Sequence, residues 1–171
     1  KQEKEYIFAD CSLNIKPNVD ELVEITLQSA QSAKTFGMKP RVALLSYSTY
    51  GSGHGEDVDM VKEVATRLKR LPLDYEVDGE LQVDCALNKD VAMLKAPDSK
   101  VGGCANVLIF PDLNAANIGY KLVANLGGYE AYGPILQGVR LPMNDLSRSA
   151  TIDEIYTMAL ITAMQKLNLN R

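Results

Sequence analysis

Tryptophan is absent from the chain, phenylalanine occurs three times and histidine once. A folded core must therefore be built mainly from Val, Ile, Leu, Met and Ala. With His54 alone, a metal site resting on several histidines is excluded, which argues against metal-dependent hydrolysis. The three cysteines (Cys11, Cys85, Cys104) lie far apart with no C-x-x-C pair, a spacing that excludes a disulfide framework and a zinc site. They read as small buried hydrophobes, not nucleophiles. No apolar run approaches the ~18 residues needed to span a bilayer. The opening Lys1-Gln2-Glu3-Lys4-Glu5 lacks the apolar stretch and cleavage site of a signal peptide, so a cytoplasmic protein with no membrane contact is expected. Basic charge is also thin: the net charge is −4 and no Lys/Arg run exceeds two residues. Nucleic-acid binding would want a basic patch, and none is readable. A small polyanionic ligand needs only one or two well-placed cations and remains open.

The 171 residues suffice for one ordinary domain, with the apolar and charged balance of a globular protein. Strand-like and helix-like segments alternate, which argues for an α/β fold. Tyr6–Cys11 is a short apolar run. Pro17-Asn18 opens a helix over about 19–36, with Leu22, Ile25, Ala33 and Phe36 on its apolar stripe and Gly37 as its stop. Arg41–Ser46 and Val107–Phe110 are continuously apolar and read as fully buried strands. Helices are expected over about 57–71, ending at Pro72, over 89–95, stopping before Pro97, and over 117–126, ending at Gly127-Gly128. Asp78-Gly79-Glu80 reads as a turn before a strand over 81–87, and Pro134–Gln137 as a last strand. The final helix, about 152–167, is apolar around nearly its whole circumference, and such a helix must be buried on more than one side. A second domain or a partner subunit is therefore expected to cover it.

Three polar stretches punctuated by Gly or Pro follow predicted buried strands, where ligands bind in open α/β sheets. Ser46–Gly55 reads either as a plain loop or as an anion cradle of Gly and Ser backbone N–H groups before a helix. It lacks the Gly-Lys-Ser/Thr ending of a Walker A loop and misses G-x-G-x-x-G. Pro111–Asn117 reads as a binding segment or as a turn and helix cap. Asn144–Arg148 is the sharpest. Ser147 and Arg148 precede a helix start marked by the capping-box pattern Thr151-x-x-Glu154, and an anion near Arg148 would face the positive end of that helix dipole. Ser supplies a hydroxyl donor, Arg a permanent planar cation and Glu a carboxylate able to take a proton. Equally, Glu154 serves as a cap alone and Arg148 as its ion-pair partner.

The stretches Phe8–Cys11 (FADC), Val42–Thr49 (VALLSYST), Asp78–Gln82 (DGELQ), Lys95–Ser99 (KAPDS), Ala105–Tyr120 (ANVLIFPDLNAANIGY), Gly133–Gly138 (GPILQG) and Asn144–Arg148 (NDLSR) occur here in one order. Together they resemble the phosphate acetyl/butyryl transferase family, along essentially the whole chain. Members of that family are about twice this length, so the resemblance is to their C-terminal half. It implies a three-layer α/β/α sandwich similar to isocitrate and isopropylmalate dehydrogenases. Residues 1–140 would be the second α/β domain. Residues 141–171 would form a crossover segment carrying the active-site loop and a terminal helix that packs on an N-terminal domain missing here. A homodimer is implied as well.

The resemblance further implies reversible acetyl transfer between acetyl-CoA and phosphate, giving acetyl phosphate and CoA, with coenzyme A as substrate and no cofactor or metal. Ser147 and Arg148 match the family's active-site serine and arginine, and Glu154 its catalytic carboxylate, usually Asp. Ser46, Ser48, Thr49, Asn114, Asn117, Asn144 and Asp145 are the expected phosphate and CoA contacts. The chain departs from the family at Ser149 and Ala116, where Gly is usual, and at Tyr50 and Cys104, where Lys is common. This piece alone is expected to be inactive or weak. Two other readings stand beside this one: a non-catalytic acyl-CoA-sensing domain like that fused to bacterial malic enzymes, against which the retained Ser-Arg pair argues, and a phosphate butyryltransferase.

Overall fold

Capping residues set most helix starts. Asn18 accepts from the Glu21 N–H at 3.0 Å while Glu21 accepts from the Asn18 N–H at 2.8 Å, a closed capping box that opens α1 (Val19–Thr35). The helix ends at Gly37, in the left-handed region at φ +78°. The structure is a computed structural model that describes residues 4–168; residues 1–3 and 169–171, at the outer ends of the units expected over 1–140 and 141–171, lie outside it.

Four strands, β1 (Ile7–Ala9), β2 (Arg41–Leu45), β3 (Glu76–Leu81) and β4 (Val107–Ile109), form a parallel sheet in the order β1-β4-β2-β3. Helices cover both faces, which is why β2 and β4 read as unbroken apolar runs. Val42 and Leu44 face α1 and α2 (Glu56–Leu68), against Leu22, Val61, Val64 and Leu68. Ala43 and Leu45 face the other way, against Leu81, Cys85 and Ala92 of the elements that include α3 (Val83–Leu87) and α4 (Lys89–Lys95). Each fully buried Leu or Val contributes about 1.5–3 kcal/mol of transfer free energy, so these two clusters hold the three layers together.

The predicted α4 and the buried strands stand, and three expectations are corrected. Asp78-Gly79-Glu80 is not a turn but lies within β3, which ends at Leu81; the segment after it, read as strand, is the short helix α3. Gly79 is needed there because a Cβ would stand 2.6 Å from Leu44 Cβ. Next, α5 (Leu113–Gly127) begins four residues earlier than expected, because Asp112 caps it through the Ala115 N–H at 2.8 Å. Lastly, Pro134–Gln137 belongs to no strand; the Gln137 amide instead bonds α1, donating to Ser29 Oγ at 2.9 Å and accepting from Ser32 Oγ at 3.0 Å.

The last helix, α6 (Ile152–Asn168), buries Met158 but leaves Ile152, Ile155, Tyr156, Leu160, Met164 and Leu167 exposed. No described helix is long and apolar enough to cross a membrane.

Candidate active site

The loop after β2 leads to α2 on one face. The one after β4 leads to α5, whose Gly119 passes the ring of Phe110 on the opposite face. Neighbouring parallel strands that send their connections to opposite faces leave a crevice at their carboxyl ends, the usual ligand position in such sheets. All three polar stretches lie at this end, but they fall into two groups, and no hydrogen bond joins them among the described residues.

The first group is the loop 46–53 and the strand β3 beside it. Its backbone donors turn inward. Ser46 N–H donates to Leu81 O, Ser48 N–H to Ser46 Oγ, Thr49 N–H to Ser52 Oγ, Tyr50 N–H to Glu80 O, Gly51 N–H to Glu80 Oε1, Ser52 N–H to Thr49 O and Gly53 N–H to Ser48 Oγ. An anion cradle made of these N–H groups would need the same donors. The expected contacts Ser48 and Thr49 are buried: Ser48 donates to Glu80 Oε1 at 2.9 Å, and Thr49 Oγ1 accepts from the Gln82 N–H at 2.8 Å.

Beside them Asp78, also buried, accepts from Lys69 Nζ at 2.6 Å, from Ser99 Oγ at 2.5 Å and from the Tyr50 hydroxyl. Burial pushes the Asp78 carboxyl up, but these donors and the Lys69 charge outweigh it and leave the group below the usual carboxylate range. Burial and the neighbouring carboxylate push the Tyr50 phenol well above its ordinary value. Tyr50 sits at φ +47°, a left-handed conformation that non-glycine residues seldom adopt. The buried carboxylates Asp78 and Glu80 were not singled out from the sequence, although DGELQ is among the matched motifs; the charged, glycine-centred pattern imitates a turn.

The second group gathers at the ends of β1 and β4. Asp10 holds the turn after β1 by accepting from the N–H groups of Ser12, Leu13 and Asn14 and from the Asn14 amide. Burial pushes the Asp10 carboxyl up, and these four donors more than reverse that, leaving it below its ordinary value. Asn117 donates to Cys11 O at 3.1 Å, while Asn114 is exposed. An open cleft of about 370 Å³ is lined by Ser12, Leu13, Pro134, Leu136, Met143, Asn144 and Asp145. Asn144 Oδ1 takes the Leu136 N–H at 2.9 Å, and its amide donates to Thr162 Oγ1 at 2.8 Å and Gln165 Oε1 at 2.7 Å, tying the cleft to α6.

Ser147 and Arg148 are both exposed; Ser147 Oγ lies 2.9 Å from Ser149 Oγ. Among the described residues Arg148 makes no ion pair, so it does not pair with Glu154. The capping box at α6 is formed: Glu154 Oε2 takes the Thr151 N–H at 2.6 Å, and Thr151 Oγ1 takes the Glu154 N–H at 3.2 Å. Glu154 Oε1 has no hydrogen bond among the described residues. Cys85 is buried, while Cys11 and Cys104 are half-buried. Burial and the adjacent Asp10 push the Cys11 thiol up to about 12, far from the range of a reactive thiolate. Among the described residues no three His, Cys, Asp or Glu side chains come together as a metal site.

The fold is thus a parallel α/β/α sheet with polar loops at its carboxyl ends and a serine–arginine pair leading into a capped helix. The family model for phosphate acetyl/butaryl transferase matches residues 1–163, and the chain belongs to that family. It is 48% identical to the phosphate acetyltransferase of Bacillus subtilis (strain 168) over 165 residues, covering 96% of this chain and 51% of that protein. With the phosphate acetyltransferase of Thermoanaerobacterium thermosaccharolyticum it shares 54% identity over 161 residues, or 94% of this chain and 49% of the relative. The crystal structure of a phosphotransacetylase from Streptococcus pyogenes superposes with a TM-score of 0.93 at 48% identity, over 97% of this chain and 50% of the other. The chain thus spans about half the length of the curated relatives it matches.

Proposed function

We propose that the protein containing this chain transfers an acetyl group reversibly between coenzyme A and inorganic phosphate. The carrying observation is the exposed Ser147–Arg148 pair, its guanidinium free of any carboxylate among the described residues, directly before the capped start of α6. A phosphate oxygen attacks the thioester carbonyl carbon, a tetrahedral oxyanion forms, and the carbon–sulfur bond breaks to release CoA as thiolate. Arg148 and the Ser147 hydroxyl hold the charge that builds on the carbonyl oxygen; one such donor is typically worth about 2.7–4 kcal/mol. In the reverse direction the CoA thiol must give up its proton, and Glu154 takes it on Oε1 while Oε2 stays in the capping box. Ser46, Asn114, Asn117, Asn144 and Asp145 surround the substrates, which include CoA itself, while the buried Ser48 and Thr49 hold the first loop from beneath; no cofactor takes part.

In this reading residues 1–140 form one α/β unit. Residues 141–171 cross to a further domain, which covers Ile155, Leu160 and Met164 of α6. The same covering requirement makes this piece inactive or weak alone, and the whole protein works as a cytoplasmic homodimer. The test is Arg148→Ala in the full-length protein, followed by thiol release from acetyl-CoA in phosphate. A loss in kcat/KM of at least about tenfold, ~1.4 kcal/mol, is expected, and a smaller loss removes Arg148 from the mechanism.

A further inference from the structure

Glu80 is 2% exposed and Ser48 wholly buried. Glu80 Oε1 collects the Gly51 N–H at 2.6 Å and the Ser48 hydroxyl at 2.9 Å, and Ser48 Oγ in turn collects the Gly53 N–H at 2.9 Å. One carboxylate oxygen therefore fixes three points of the loop 46–53. No ion pair reaches Glu80 among the described residues, whereas its neighbour Asp78 has Lys69. Withdrawing an uncompensated carboxylate from water costs the fold free energy, and an apolar side chain of similar size would avoid that cost. An apolar side chain would in turn leave the Gly51 N–H and the buried Ser48 hydroxyl without an acceptor. What a carboxylate oxygen offers, and an apolar group does not, is acceptor capacity for two donors at once.

The shape it imposes has a definite outcome. Among the described residues, all of the loop's N–H groups but that of Tyr47 find an acceptor in the loop or on residues 80–82, and so do the Ser48 and Thr49 hydroxyls. The outer side carries the exposed Tyr47, whose hydroxyl donates to His54 O at 2.8 Å, with Tyr50, Ser52 and His54 also exposed. We infer that Glu80 is a positioning residue of the transfer site: through Ser48 and Gly51 it sets the loop 46–53 at the carboxyl end of β2, so that the Tyr47–His54 face meets the substrate. The inference rests on the transferase reading above, which makes this end of the sheet the substrate end.

The test uses the full-length protein with Glu80→Ala, Glu80→Gln and Ser48→Ala. Gln retains an oxygen acceptor, so Glu80→Gln should stay within about threefold of wild type in kcat/KM for acetyl-CoA, while Glu80→Ala should lose at least about tenfold, chiefly through KM. Hydrogen exchange should show the Gly51 and Gly53 amides deprotected in Glu80→Ala and protected in Glu80→Gln. If Glu80→Ala does not fold, Ser48→Ala carries the test: it should free the Gly53 amide and raise KM by about threefold. A variant with freed Gly51 or Gly53 amides and an unchanged KM overturns the inference, as does a Glu80→Gln that is no better than Glu80→Ala. A wild-type protein with no acetyl transfer overturns the transferase reading itself, a failure separate from an active wild type indifferent to Glu80.

Discussion

The loop 46–53 and the segment 129–151, which reaches the carboxyl end of the sheet at Pro134, Asn144 and Asp145, are held by opposite chemistry. The first is gripped by two buried carboxylates of one strand, Asp78 and Glu80. The second has no helix or strand of its own and is tied down by neutral amides: Gln137 to α1, and Asn144 and Gln165 between the segment and α6. The Asp78 part of the carboxylate grip weakens at low pH, and the grip rests on the apolar layers beneath it. An amide grip does not titrate, and the helix it holds keeps most of its large side chains at the surface. The first region is complete in its own packing, and the second presents Ile155, Leu160 and Met164 of α6 at the surface.

The largest effect expected from this contrast is at Leu81, which ends β3 under the carboxylate pair and is 0% exposed. Leu81→Ala removes a fully buried side chain whose surroundings are two packed layers, and should cost about 2–5 kcal/mol in chemical denaturation. A loss below about 1 kcal/mol would mean that the site collapses around the gap and that the β3 end is far looser than its packing implies.

Legibility from sequence follows the same division. Elements whose signals are local were readable: the helix opened by Pro17-Asn18, the Thr151–Glu154 box, the β2 and β4 apolar runs, and α4 stopped by Pro97. Asp78-Gly79-Glu80 was misread because its partners, Tyr50, Ser48 and Gly51, come from a loop about thirty residues away, and no local pattern announces that a carboxylate will be satisfied so remotely. Pro134–Gln137 was misread for the related reason that Ile135 and Leu136 look strand-like while Gln137 is spent on α1. At the site, Ser147 and Arg148 stood out because they lie between a polar turn and a capped helix. That Glu80 underlies the first loop required the fold.

Asp78 provides the next test. Its folded carboxyl is held below the ordinary range, so the stability it contributes is present above the unfolded value of about 4 and is lost as pH falls below that towards the folded value. Asp78→Asn, which keeps the shape but not the charge facing Lys69, should cost about 1–3 kcal/mol at pH 7. The gap between the two proteins should close as denaturation is repeated from about pH 4 downwards. A gap unchanged at about pH 3, already below the unfolded value, would mean that the substituted amide disturbs geometry and that the lost charge is not the cause.

The smallest effect belongs to the other region, and its size is the point. Leu160 lies on α6 at 49% exposed, so Leu160→Ala removes little apolar area from within this chain. Surface changes of this kind fall within about 0.5 kcal/mol, and Ala is in addition the best helix former. Measured on residues 1–171, the variant should therefore match wild type in its denaturation midpoint. In the full-length protein the same substitution tests the proposed covering of α6: if a further domain or a second copy buries Leu160, the cost rises to the about 2–5 kcal/mol of a core Leu→Ala. The same residue would then behave like Leu81. Equal and negligible effects in both proteins would leave α6 uncovered in the whole molecule, and the division at residue 140 would lose its physical reason.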